Sequence, residues 1–128
     1  MGDSILTSIK KLLGLPEEYE HFDMDIIMHI NAVLMTLTQI GIGPSEGFCI
    51  TDKTSTWKDF ISNGVNVLNW DGSSNNSTNL GALMSYVYIK VKLVFDPPQN
   101  SFTIESMNKI AAEFEWRLNS AAEARITE

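Results

Sequence analysis

Between Leu80 and Phe95 the chain runs sixteen residues with only two charges, Lys90 and Lys92, and the run stops at Asp96-Pro97-Pro98. A segment apolar on nearly all sides has to be buried against several neighbours rather than one. Neither proline can donate to a helix or a ladder, so the C-terminal boundary is sharp. The period of the segment gives two answers. Leu80, Leu83, Met84, Val87, Val91 and Val94 fit one helical face, whereas Val87, Ile89, Val91, Leu93 and Phe95 alternate with Tyr86, Tyr88, Lys90 and Lys92 as in a strand. Alternation points to a strand over 86–95; the length from Asn79 to Phe95 points to a helix.

The rest of the chain fits one domain, 1–128, arranged to cover this segment. With 44% apolar and 20% charged side chains in 128 residues, it has the composition of an ordinary domain with a single core. A net charge of −7 argues against a free-standing nucleic-acid binder, whose affinity comes from clustered Lys and Arg. Between Leu12 and Asp52 stand seven acids, Glu17, Glu18, Glu20, Asp23, Asp25, Glu46 and Asp52, and no Lys or Arg. Cys49 is the only cysteine, which excludes an intrachain disulfide and the multi-thiol zinc sites and suggests a reducing, intracellular setting. No signal peptide is expected, since Asp3 stands where a basic region belongs and Lys10 and Lys11 break the apolar run from Ile5. No run reaches the ~18–20 apolar residues of a membrane span. The sequons at Asn75 and Asn76 therefore have no secretory context.

Read in order, the spacing predicts a short helix over 4–13. Ser4 caps it, Ile5, Ile9, Leu12 and Leu13 form its apolar side, Lys10 and Lys11 lie in its last turn, and Gly14 ends it. A helix of about ten residues is marginal alone, so residues 1–14 must dock, either on their own domain or on a neighbouring subunit. An acidic linker from Pro16 to Phe22 leads to Asp23, a good N-cap for a helix over 23–40. Its stripe is Ile26, Ile27, Ile30, Val33, Leu34, Leu37 and Ile40, with Gly41 at the C-cap position. Gly41 to Gly47 reads as a structured turn. It lacks the Walker spacing and a preceding strand, so it is not read as a phosphate loop. Phe48, Ile50 and the neighbouring threonines allow a brief extended segment. Thr54 or Ser55 can cap a short helix near 55–62 that presents Trp57, Phe60 and Ile61, closed by Asn63-Gly64. Val65, Val67, Leu68 and Trp70 are too few to assign, and the polar run 71–79 reads as a flexible loop. After the two prolines, Asn100 or Ser101 starts a helix over 101–122 with a narrow seam of Met107, Ile110, Ala111, Phe114, Leu118 and Ala121. On another face Glu105, Lys109, Glu113 and Arg117 alternate in sign four residues apart. Residues 123–128 read as a frayed tail.

Catalysis needs a nucleophile with its base, a carboxylate pair in a pocket, or a metal cluster, and no such pattern stands in the sequence. Asp25 and His29 at i, i+4 have no third ligand at a useful spacing and read as a solvated helix face. The carboxylates of 17–25 lack the order of a calcium loop. Cys49 has no basic neighbour to activate it and reads as a buried small apolar residue. Trp57, Trp70, Tyr86 and Tyr88 are candidates for a binding patch, though most buried aromatics are simply core. Trp116 falls off the seam of the last helix and is the stronger candidate. No cofactor, no metal and no enzymatic activity are expected.

Ile5-Leu-Thr-Ser-Ile-Lys-Lys-Leu-Leu-Gly-Leu15, followed by acids and Phe22-Asp-Met-Asp-Ile-Ile-Met-His-Ile-Asn31, resembles the head-tail connector (adaptor) proteins of tailed phages and prophages of Gram-positive bacteria. Gly43-Pro-Ser-Glu-Gly-Phe48, Trp57-Lys-Asp-Phe-Ile61, Val94-Phe-Asp-Pro-Pro98, Ser106-Met-Asn-Lys109 and Glu113-Phe-Glu-Trp-Arg-Leu118 continue the resemblance over nearly the whole chain. It resides in the order of the motifs, and the run 71–79 matches no part of it. The resemblance implies a mainly α, small helical bundle with little or no sheet, and it decides for a helix over 79–95. It further implies a structural virion protein forming a ring of roughly twelve subunits, in head-to-tail contact, below the portal. The partners implied are the portal protein and a downstream head-completion or tail protein. Assembly would take place in the host cytoplasm, and DNA would pass through without being specifically bound. On this reading Ile5, Ile9, Lys10, Lys11, Glu105, Lys109 and Glu113 are candidate ring contacts. Trp116, Arg117, Arg125 and Glu128 are candidate portal contacts, and Glu17, Glu18, Glu20, Asp23 and Asp25 an acidic face toward the channel. The alternative reading is a small cytoplasmic helical regulator that dimerises through Met107, Ile110, Phe114 and Leu118.

Overall fold

A computed structural model describes residues 4–40, 47–62 and 74–127. The expected turn at Gly41–Gly47 falls outside these residues except for Gly47. The Asn63-Gly64 stop, residues 65–70, positions 71–73 and Glu128 also fall outside. Among the described residues five helices follow one another: α1 (Ile5–Leu13), α2 (Asp23–Gln39), α3 (Trp57–Ser62), α4 (Ser74–Phe95) and α5 (Ser101–Thr127). Among the described residues there is no strand, only an isolated antiparallel bridge between Ser4 and Thr56. The mainly α expectation is met.

α4 is the middle of the fold. α1, α2 and α5 all pack on it, whereas α2 and α5 have no substantial contact with each other. Leu83, Tyr86, Val87 and Val91 are fully buried, a helical recurrence that settles 86–95 as helix. The face is rotated from the expected one: Tyr86 is inside and Val94 is exposed. Strand-like alternation arises because a helix covered by three others buries most of its circumference, so apolar residues also fall at odd spacings. Two boundaries move outward. The helix begins at Ser74, so 74–79 of the expected loop is helical backbone, and α5 runs to Thr127, through the expected frayed tail. Ser, Asn and Thr lose only a few tenths of a kcal/mol each against good helix formers. A packed helix can therefore extend through them.

The local signals are legible in the bonds. Thr7 N–H donates to the Ser4 hydroxyl at 3.1 Å, and Gly14 adopts φ 84°, the left-handed cap. α3 is capped by Thr56 instead of Thr54 or Ser55. Thr56 N–H donates to Asp59 Oδ2 and Asp59 N–H to Thr56 Oγ1, a reciprocal capping box. Thr54 instead bonds the Asp52 carboxylate, which lowers the pKa of that acid. Asn100 Oδ1 accepts from Phe102 and Thr103 and starts α5. Asp23 does not cap α2. The helix begins at Asp23 after Phe22, with no side-chain cap, and the carboxylate is engaged elsewhere.

The core gathers Ile5, Leu6 and Ile9 from α1, the whole α2 stripe from Ile26 to Leu37, Ile50, Trp57 and Phe60, the buried side of α4, and Ala111 and Leu118 of α5. Met107 and Phe114 pack against it half-buried, which makes the α5 seam intramolecular; Ile110 lies off it, exposed. Phe22 and Phe95 meet edge to face at 5.4 Å and tie the α1–α2 link to the end of α4.

Candidate functional site

The N-terminal helix is built into the domain. Ile5 and Ile9 are fully buried, and Ile5 N–H donates to the Ser55 carbonyl at 2.9 Å. Lys10 is only 2% exposed. Its ammonium lies 2.9 Å from Asp23 Oδ1 and donates to the carbonyls of Glu17 at 2.8 Å and Tyr19 at 2.6 Å. Two carbonyls accept from the ammonium and Asp23 supplies the counter-charge. Ile5, Ile9 and Lys10 are thus withdrawn as contacts to a neighbour: burial of the apolar side of α1 on α2 and α4 takes them into the chain's own core. Asp23 is likewise an internal counter-ion and half-buried. Lys11 is exposed, as are Glu17, Glu18, Glu20 and Asp25, with Lys53 4.0 Å from Glu20.

The outer face of α5 carries the remaining candidates. Glu105, Lys109, Glu113, Trp116 and Arg117 are exposed, and Arg117 pairs with Glu113 at 2.8 Å. Arg125 belongs to the last turns, where only the backbone is described. Trp57 and Tyr86 are core residues, not a patch, and Tyr88 is half-buried. Trp70 lies outside the described residues.

Sequence reasoning missed two features. Tyr86 donates to Glu115 Oε2 at 2.8 Å across α4 and α5. Burial first, then this bond and the charge of Glu115, raise the phenol well above its ordinary pKa of 10.0. Beside this pair a cleft of about 290 Å³ opens between the end of α2 and α5, lined by Ile40, Lys90, Ala111, Glu115, Trp116 and Asn119 among others. The second feature is a row of exposed methionines on α2, Met24, Met28 and Met35. Their spacing of four and seven residues was the available signal, hidden beside the stronger isoleucine stripe.

Cys49 is exposed, against the expectation of a buried thiol. In the segment 47–51 Phe48 meets Phe60 edge to face and Ile50 enters the core, so the residue between them turns outward. Among the described residues no group of three His, Cys, Asp or Glu side chains could hold a metal. No described helix is long and apolar enough to cross a membrane.

The described residues form a closed helical core with acids at one end of α2 and two helices whose outer faces keep large apolar side chains. No curated protein and no solved structure matches the chain significantly. The family model described as phage connector protein matches residues 5–125, from the first helix to the last turns of the fifth. With so nearly complete a match, the chain belongs to the phage connector protein family.

Proposed function

We propose that the chain is a head-tail connector subunit: copies form a ring below the portal, extend the DNA channel and join the capsid to the tail. The observation that carries this reading is the family match over residues 5–125. The physical features suit it. A subunit of net charge −7, with Glu17, Glu18 and Asp25 exposed and no Lys or Arg between Leu12 and Asp52, presents to DNA a field that repels the duplex. DNA then slides past instead of sticking. The outer face of α5 and its C-terminal end, with Trp116, Arg117 and Arg125, supply contacts to the ring and the portal. The downstream partner is a head-completion or tail protein, and the role is structural and not enzymatic.

Negative-stain microscopy tests the reading. Purified chain mixed with its portal should add a ring of density to one end of the portal particle. A portal that stays bare at saturating chain concentration overturns it. The chain alone need not form rings, because assembly on a template can supply the binding energy that free subunits lack.

A further inference from the structure

We propose that the cleft between α5 and the end of α2 binds an extended peptide segment of a partner protein, one that carries a carboxylate a few residues away from a large apolar side chain. The proposal rests on the cleft itself and not on the connector reading.

The polar groups that line the cleft are unspent. Lys90 is half-buried, yet among the described residues no carboxylate lies within ion-pair distance of it, whereas Lys10, Lys53, Lys92 and Arg117 each reach one. The side-chain amides of Asn108 and Asn119 have no hydrogen-bond partner among the described residues either. Glu115 is the one acid in the lining, and its Oε2 already accepts the Tyr86 hydroxyl at 2.8 Å. Between these groups Ala111 and Ala112 leave the room that larger side chains would fill.

Topology puts them in order. α4 and α5 pack together across a short link, 96–100, and so run antiparallel. Tyr86 meets Glu115, so Lys90, one turn further along α4, lies on the Asn108 side of that pair. Phe22 and His29 of α2 approach Phe95, which sends the end of α2 the other way and sets Ile40 by Trp116 and Asn119. A cation thus stands at one end of the cleft and an apolar wall at the other. From Asn108 to Asn119 the helical rise gives about 16 Å, the length of about five extended residues.

Each end selects its part of the occupant. A half-buried ammonium without a counter-ion is met by a carboxylate, and Trp116, 68% exposed, by an apolar side chain. Amides suit a peptide backbone, and this molecule already contains that pairing: Asn31 accepts from the N–H of Ile50 at 2.8 Å and donates to its carbonyl at 3.0 Å. A basic segment is disfavoured, since its cation would meet Lys90 and the only lining acid is engaged by Tyr86. Glu105 and the paired Glu113 and Arg117 do not line the cleft. At about 290 Å³ the space lies at the lower limit of sites that enclose a small molecule, and it fits a few side chains of a segment whose backbone stays at the surface.

Selection from a displayed library of random heptapeptides, on the full-length chain, tests this. Enriched peptides should carry Asp or Glu two to four residues from Leu, Met or an aromatic residue. The wild-type chain should retain them at least ten-fold better than Lys90→Gln or Trp116→Ala, both checked for folding by circular dichroism. Lys90→Glu should reverse the preference and retain the same peptides once their acid is replaced by lysine. Enrichment of basic peptides, equal retention by the variants, or no enrichment at all overturns the proposal. A selected peptide titrated into nitrogen-15-labelled chain should shift the side-chain amide signals of Asn108 and Asn119 and the indole signal of Trp116. Shifts confined to any other face overturn it as well.

Discussion

An ammonium group withdrawn from water is tolerated when acceptors and an opposite charge replace its hydration, and Lys10 has two carbonyls of the link that follows α1 and the carboxylate of Asp23. Removing one member of a buried pair leaves the other uncompensated, at a cost of about 3–5 kcal/mol. Asp23 retains some access to water, which places the loss at the low end. Lys10→Met should therefore lower the denaturation midpoint by the equivalent of about 3 kcal/mol; a loss within the noise of the measurement would show that the ion pair and the two hydrogen bonds contribute nothing. Tyr86 makes a prediction about pH. Its pKa is raised in the folded state, so its stabilisation is complete below the unfolded value of 10.0 and is lost as pH rises through the folded value. At neutral pH Tyr86→Phe should cost about 1–2 kcal/mol for the lost bond to a carboxylate. The gap between wild type and variant should close as the solution is made strongly alkaline; a constant gap would refute the assignment. Cys49, being exposed, should react with a thiol reagent in the native protein as fast as in the unfolded one. None of these three environments was legible in sequence. A lysine in a last turn, a tyrosine in an apolar run and a cysteine after a phenylalanine have no partners until the chain has folded.

At the scale of elements the sequence was informative wherever one period dominated. The α2 stripe from Ile26 to Leu37 is buried as its spacing requires, and Ser4, Gly14 and Asn100 mark helix ends by the bonds their side chains or backbones make. It was least informative at α4, where burial on several sides erased the period, and at the two polar extensions, where no local signal marks a boundary. A pair of substitutions tests the register of α4. Leu83→Ala, at a fully buried site, should cost about 3 kcal/mol, while Val94→Ala, at an exposed one, should stay within about 0.5 kcal/mol of wild type. Equal losses at the two positions would mean the face has been placed wrongly. The candidate contacts divide along the same line. The exposure of those on α5 could be read because an amphipathic helix sorts its residues, whereas those on α1 misled because a short helix can bury its charged turn as well as its apolar one.

For the whole molecule, the bundle closes only when α4 reaches α1. α1 packs on α4, which begins some sixty residues later, and its first turn is held by a bond from Ile5 to the carbonyl of Ser55 and a bridge from Ser4 to Thr56. These are non-local contacts, and loop closure must precede their reward. A chain ended after Ser62 should accordingly show no cooperative unfolding transition, although it contains α1, α2 and α3 complete. A sharp transition in that fragment would place the centre of the fold elsewhere. This arrangement has a cost during synthesis. Ile5, Ile9 and the isoleucines of α2 leave the ribosome well before α4 arrives to cover them. At the roughly 5–20 residues per second of translation, each nascent chain exposes its future core for several seconds. Those seconds, more than the finished bundle, set how crowded its production can become before chains adhere to one another.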